Sequence, residues 1–287
     1  MKGSELYRSK PKLQLMLNST PDKLITCDVK KLRQLNILLV EDDLLNAKLI
    51  SILFAQQHMK LQLAKNGMEA IEKIKAQHFD MILMDMEMPV MDGYQAVAII
   101  RRQLKNNIPI IALTAHAQPG EKEKCLHWGM NDYMAKPINE GRLFKAIYNL
   151  TFRRKPDLKK TGFKKTSIPP IATGKVCNMG YLIGATRGNK HIINNIVTVF
   201  FTETRKELST LDDAIKKINY PAISDISHKI KSAFSILGIA VLEPVFKEME
   251  QLGSGTTGIQ KIQLLNRRVN SVFIQAMKEM HQEVYSN

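Results

Sequence analysis

Between residues 36 and 150 the chain repeats one pattern five times: a short apolar run, then a stretch whose apolar residues recur every three or four places. The first run is 36–40 (Asn-Ile-Leu-Leu-Val), after which Leu45, Leu49, Ile52 and Leu53 fall on one helical face. The second run, 61–64, closes at Asn66-Gly67 and leads into a helical pattern over 68–77. Runs at 80–84, 108–113 and 133–135 follow, each succeeded by a helical stretch at 94–104, 120–128 and 139–150. Runs this short and continuously apolar suit strands buried on both faces, and strands alternating with helices make a parallel sheet covered on both sides. The expectation is an α/β module with a five-stranded, doubly wound parallel sheet. Ligand sites in such sheets lie at the carboxyl ends of the strands.

Beyond residue 175 the pattern changes. No strand-like run of comparable quality occurs, and apolar residues recur at helical spacing: Ile192, Ile196, Val199 and Phe200, then Leu208, Leu211, Ile215 and Ile218. Asn219-Tyr220-Pro221 breaks that series near a new helix start. Ile223, Ile226, Ile230, Phe234 and Leu237 continue it up to Gly238, a good terminator. With 241–252 and 259–284 this predicts an all-α bundle of four to five helices. Between the modules, 153–175 is basic, contains Pro156, Pro169 and Pro170, and has no amphipathic period, so it reads as a linker. The expected organisation is a basic N-terminal extension over 1–33, an α/β module over 34–152, the linker, and a helical bundle over 176–287.

Charge follows that division. The formal net charge is +15, but residues 1–35 carry +5 and 151–175 carry +7, while 36–150 is neutral and 176–287 carries +3. A nucleic-acid reader would place its charge on a folded face beside residues that reach base edges. Here the charge gathers where periodicity is absent, which points to solvated tethers and not to a nucleic-acid partner. Three distant cysteines, Cys27, Cys125 and Cys177, make neither a disulfide framework nor a cysteine-built zinc site. No apolar run is long enough to span a bilayer, and residues 1–12 lack the apolar core of a secretory signal, so a cytoplasmic location is expected.

The chemistry concentrates where the strands of the first module end. Glu41 and Asp42 follow the first strand, with Asp43 next. Asp85 follows the third, Thr114 the fourth, and Lys136 the fifth. Carboxylates held this close repel one another without a cation, and hard oxygen donors favour Mg²⁺ together with a phosphate. A metal beside a carboxylate neutralises an incoming phosphoryl group, while a hydroxyl and an ammonium hold its oxygens. The chemistry expected is reversible formation of an aspartyl phosphate.

The segments ILLVEDD (37–43), LMDMEMPVMDG (83–93), LTA (113–115) and NDYMAKPI (131–138) resemble a response-regulator receiver domain, of flavodoxin- or CheY-like fold, over essentially all of 34–152. The resemblance implies that Asp85 is the phosphoacceptor. It also implies that Glu41, Asp42, Asp85 and the backbone carbonyl of Glu87 hold Mg²⁺, with Asp42 the more direct ligand of the acidic pair. Thr114 and Lys136 match the switch hydroxyl and the phosphate-binding lysine, and Tyr133 the aromatic whose rotamer reports phosphorylation. Asp43, one place past the acidic pair, receives no ligand role.

Of the seven histidines, His58, His78, His116, His127, His191 and His281 read as ordinary surface or core residues. His228 sits off the apolar stripe of its helix, with Lys231 and Ser232 three and four residues on, so solvent, a cation and a small residue share its face. An imidazole that receives and donates a phosphoryl group needs that setting. His-x-x-Lys, small residues and then Leu-Gly resemble a histidine phosphotransfer domain over about 176–287, with Ser232 where the family usually has glycine.

Together these readings imply a two-component phosphorelay protein, with Asp85 and His228 as consecutive stations. The implied partners are a sensor histidine kinase and other receiver domains, with acyl phosphates as small-molecule donors. No Gly-rich ATP lid is visible, so any catalysis is the receiver's own phosphorylation. The chain reads as a stand-alone relay component or the carboxyl-terminal portion of a hybrid histidine kinase. A different class also fits: a phosphorylation-controlled adaptor in which only Asp85 is modified.

Overall fold

A computed structural model describes residues 29–115, 120–152 and 175–285. The N-terminal stretch through residue 28 with Cys27, the segment 116–119 with His116, and the linker residues 153–174 lie outside the described residues.

After a short α1 (Val29–Leu32), the first module runs β1 (Asn36–Val40), α2 (Leu44–Gln56), β2 (Lys60–Ala64), α3 (Gly67–Ala76), β3 (Met81–Asp85) and α4 (Gly93–Ala98). It continues with β4 (Ile110–Thr114), α5 (Glu121–His127), β5 (Asp132–Ala135) and α6 (Glu140–Phe152). All strand pairs are parallel, in the order β2-β1-β3-β4-β5. The connection reverses direction between β1 and β3, which opens a crevice at their carboxyl ends. The sequence expectation of a doubly wound five-stranded parallel sheet is what the chain adopts.

Burial explains the sequence pattern. Every residue of β3 and β4 is buried, as the continuous apolar runs require, while β2 at the edge is largely accessible. Asp85 is the last residue of β3, paired in register with Leu113, so the strand runs one residue past the expected end at Met84. Leu32 and Leu35 are buried in the core, so the packing of this module begins before residue 34. The helix expected over 94–104 changes character midway: α4 gives way to a π-helical turn at Ile99–Gln103. Within that turn the Arg101 guanidinium donates to the carbonyls of Gly129, Asn106 and Ile108, tying it to the loops around it.

The second module comprises α7 (Gly180–Ala185), α8 (Lys190–Lys216), α9 (Tyr220–Ile236), α10 (Glu243–Gly253) and α11 (Ile259–Tyr285). Asn189 and Asn219 cap α8 and α9 through their side-chain oxygens, and Pro221 occupies the first turn of α9. Phe200, Phe234, Phe246 and Phe273 pack edge-on or tilted at the centre. Ile218, expected on the apolar stripe of α8, lies beyond the helix end at φ 53° and is exposed. No helix among the described residues is long and apolar enough to cross a membrane.

The two modules are packed together. One apolar cluster runs from Leu45, Leu49 and Phe54 of α2 and Leu143 and Ile147 of α6 into Leu182 of α7 and Ile196 and Phe200 of α8.

Candidate functional site

The crevice at the carboxyl ends of β1 and β3 gathers the acids. Glu41 is buried; its backbone N–H donates to Ala64 O, and its Oε1 accepts from Asn46 Nδ2 at 3.2 Å. Asp85 is 5% exposed, and its Oδ1 accepts from the backbone N–H of Glu87 at 3.3 Å. Carboxylate oxygens of Glu41, Asp42 and Asp85 all lie within 4.8 Å of one another. Asp43 instead caps α2, accepting from Asn46 N at 2.8 Å.

Lys136 enters from the loop after β5. Its Nζ donates to Asp85 Oδ2 at 2.7 Å and to Glu41 Oε1 at 2.9 Å, with only 7% of the side chain exposed. The electrostatics follow. Burial, then the neighbouring Asp85 charge, pushes the Glu41 carboxyl well above its ordinary range, although Lys136 opposes the rise. Burial and the Asp85 charge raise Asp42 to about 6. Burial disfavours the Lys136 ammonium, but Glu41 and Asp85 outweigh it and raise the lysine. A nest of hard oxygen donors with excess negative charge suits a hard divalent cation.

Thr114 is buried at the end of β4, and its carbonyl accepts from the backbone N–H of Lys136 at 2.8 Å. Tyr133 on β5 is half-buried, with the Arg142 guanidinium 5.7 Å from its ring centre. The loop after Asp85 is tightly turned. Met91 N donates to Pro89 O at 2.8 Å around Val90, held at φ 70°. That is the rare, strained form of a γ-turn. Gly93 then passes so close that a Cβ there would meet Asp85 O at 2.3 Å.

His228 meets the loop that follows Asp85. Its Nε2 lies 2.5 Å from Glu87 Oε2 and its Nδ1 lies 3.2 Å from Glu250 Oε1 on α10. The sequence expectation of a solvent-facing ring is corrected. His228 does lie off the apolar face of α9, but the first module covers it and leaves its side chain 20% exposed. Burial works against its charge, yet the carboxylates of Glu250 and Glu87 prevail and lift the imidazole to about 9. Lys231 also lies on this face, where its Nζ donates to Glu250 Oε2 at 2.9 Å. Ser232 is half-buried one residue on. Lys229 is paired with Glu207 at 2.7 Å, and together with Asp42 and Asp43 both residues line a cavity of about 130 Å³ between the modules.

Two participants escape sequence reasoning. Glu250 is 22 residues past His228 and reads as an ordinary solvated acid. It reaches the imidazole because α9 and α10 cross closely at Gly253, where a Cβ would meet Ser224 N at 2.7 Å. The side chain of Glu87 is the other: the packing of the two modules is what brings it to His228.

Comparison with known proteins agrees with this architecture. A response regulator receiver domain matches residues 37–148, and an Hpt domain matches 195–286. The signal transduction histidine-protein kinase BarA of Escherichia coli (strain K12) is 30% identical over 230 residues, covering 77% of this chain and 24% of BarA. The sensor protein GacS of Pseudomonas syringae pv. syringae is 36% identical over 119 residues, covering 40% of this chain and 13% of GacS. The chain thus spans about a quarter or less of the length of these relatives. Among solved structures, the receiver domain of sensor histidine kinase PA1611 from Pseudomonas aeruginosa, with magnesium in its active-site cleft, is 39% identical. It covers 41% of this chain and 96% of that one, at a TM-score of 0.37. A co-crystal of the Saccharomyces cerevisiae phosphotransfer protein Ypd1 with the Ssk1 receiver matches at 32% identity, covering 42% of this chain and 90% of the matched chain, with a TM-score of 0.40. The chain therefore belongs, over 37–148, to the response regulator receiver domains and, over 195–286, to the Hpt domains, the two modules of a two-component phosphorelay.

Proposed function

We propose that Asp85 and His228 are the two phosphoryl-carrying residues of this chain and exchange the group directly. The observation that carries this reading is the placement of His228 Nε2 against Glu87, two residues from Asp85. The nitrogen that would carry the phosphoryl group thereby lies beside the loop that follows the acceptor carboxylate.

Glu41, Asp42, Asp85 and the backbone carbonyl of Glu87 are the residues that would hold Mg²⁺. The three carboxylates are already gathered, and burial together with the Asp85 charge raises Asp42, which supports the assignment. When bound, the ion neutralises phosphoryl charge beside Asp85. The chain's own groups do the rest. Lys136 Nζ, 2.7 Å from Asp85, supplies a fixed positive charge for the phosphoryl oxygens. The Thr114 hydroxyl donates a hydrogen bond to the same oxygens, and Tyr133 reports the change on the face around β5. Glu250 holds Nδ1, so Nε2 is the nitrogen left on the side of the loop that follows Asp85. Lys231 and Ser232 give the phosphohistidine a nearby cation and room.

The external partners proposed are a sensor histidine kinase and other receiver domains, with a cytoplasmic setting. The chain's similarity to histidine kinases, 30% identity to BarA over 230 residues, supports the kinase and receiver partners.

The test uses labelled acetyl phosphate with Mg²⁺ and the full chain. Label should appear first as acyl phosphate and then as acid-labile, base-stable phosphohistidine. Asp85→Asn should abolish both, and His228→Gln only the second. Equal phosphohistidine in the His228→Gln variant would refute His228 as the carrier, and its absence from the parent would leave the adaptor reading.

A further inference from the structure

Residues 175–189, the start of the second module, lie outside both matched domains and touch the receiver as well as the rest of the bundle. Toward the receiver, the Tyr181 hydroxyl donates to Ile138 O at 2.9 Å, two residues past Lys136. Gln56 Nε2, at the end of α2, donates to Ala185 O at 3.1 Å. Arg187 Nη2 lies 3.4 Å from Glu140 Oε1, which also accepts from Gln57 Nε2 at 2.7 Å. Toward the bundle, Asn178 N donates to Leu237 O, and the backbone N–H groups of Val176 and Cys177 donate to Glu279. Leu182, fully buried, belongs to the apolar cluster the modules share.

These contacts have a geometric consequence. The thirteen residues of α2 extend roughly 20 Å at 1.5 Å per residue. The bundle meets the start of α2 near Asp43 and Leu44, on the side of His228, and the 175–189 segment meets its far end at Gln56. Contact at the His228 end alone leaves the bundle free to pivot. A second contact about 20 Å away removes that freedom and orients the imidazole before any reaction.

We propose that residues 175–189 are a docking bracket that commits His228 to the Asp85 of its own chain, making transfer intramolecular. This rests on the phosphorelay reading above. In the step itself Nε2 first gives its proton to the Glu87 carboxylate, which moves aside; the freed lone pair attacks phosphorus, the bond from phosphorus to the Asp85 oxygen breaks, and its electron pair returns to the carboxylate. The bracket takes no part in these bond changes; it fixes where they occur. By holding the bundle on the receiver it also keeps a foreign phosphotransfer domain from that face, so losing it should slow the internal route and open the external one.

The experiment compares the full chain with a triple variant, Gln56→Ala, Tyr181→Phe and Arg187→Ala. Asp85 is loaded from acetyl phosphate, and the appearance of phosphohistidine is followed across a wide range of protein concentration. In the parent the rate constant should not depend on concentration. In the variant, loading of Asp85 should be unchanged, transfer at low concentration should slow roughly tenfold or more, and the rate should rise with concentration. The external route is read by mixing a loaded His228→Gln chain with an Asp85→Asn acceptor. The three bracket substitutions placed in both donor and acceptor should speed transfer, whereas misfolding would slow it. A parent rate proportional to concentration, or bracket substitutions that slow both routes equally, would overturn the proposal. Small-angle scattering reads the bracket without phosphate, which separates it from the relay reading. The triple variant should have the larger radius of gyration, and equal radii would overturn the bracket even where no label reaches His228.

Discussion

His228 Nε2 and Glu87 Oε2 meet at 2.5 Å across the boundary between the two modules, placing the imidazole two residues along the chain from Asp85. Glu250 engages the opposite ring nitrogen, so the ring is held between carboxylates of two different modules.

The Glu250 contact has a testable consequence. Glu250→Ala removes the group that orients Nδ1 and also leaves Lys231 without this partner. Transfer to His228 is expected to fall roughly tenfold or more, with loading of Asp85 unchanged. Glu250→Gln keeps an acceptor oxygen and should recover much of the rate. Single-turnover labelling of the three proteins checks this, and a fully active alanine variant would remove Glu250 from the positioning role.

Lys136 is a buried cation set between the carboxylates of Glu41 and Asp85. Lys136→Met leaves Glu41 and Asp85 without it, and breaking such a buried pair costs about 3 kcal/mol. Thermal unfolding should show that loss, and Mg²⁺ should restore part of it by supplying positive charge to the same oxygens. A variant as stable as the parent, or one indifferent to Mg²⁺, would contradict this electrostatic picture.

Much of this arrangement is legible in the sequence, and the reason is physical. Buried parallel strands demand unbroken apolar runs, so β1, β3 and β4 announce themselves, and the residues ending them follow. Asp85, Glu41, Asp42 and Lys136 share one rim because each ends a strand of the same sheet. His228 is legible because its helix has a clear apolar face and His228 lies off it. Its environment is not. Nothing in a single helix reveals that another module covers one side, that Glu250 crosses from α10, or that α7 reaches Ile138. Ile218 departs from its expected place because periodicity cannot see that the helix ends at Lys216.

Val90 offers a test of stored strain. A β-branched residue at φ 70° is costly, and Val90 is 76% exposed, so its side chain recovers little by burial. Val90→Gly should stabilise the protein by about 1 kcal/mol in denaturant unfolding. A destabilised variant would mean that the side chain makes a contribution the turn geometry does not suggest.

Cys177 gives a pH signature for the start of the second module. Burial, then the Glu279 carboxylate, pushes its thiol up to about 12. Burial disfavours the Glu279 charge, but the backbone N–H groups of Val176 and Cys177 prevail and hold it below the ordinary value. The carboxylate's stabilising contribution is therefore present above its ordinary pKa of 4.5 and is lost as pH falls through the lowered value. Since the thiolate is the reactive form, alkylation of Cys177 should be slow at pH 8 and still climbing at pH 10, where an ordinary thiol has levelled off. Glu279→Gln should speed it at pH 8. Mass spectrometry of the Cys177 peptide reads both, and a plateau near pH 9 in the parent would contradict the assignment.

Whether Asp85 and His228 form one donor–acceptor pair is read most directly from a crystal structure of the full chain grown with Mg²⁺ and beryllofluoride. The expected result is a beryllofluoride group on Asp85, the ion held by Glu41 and Asp42, and His228 Nε2 facing the beryllium with the Glu87 side chain displaced. A pocket that binds neither ion nor fluoride, or a bundle whose His228 points away from a loaded Asp85, would contradict it.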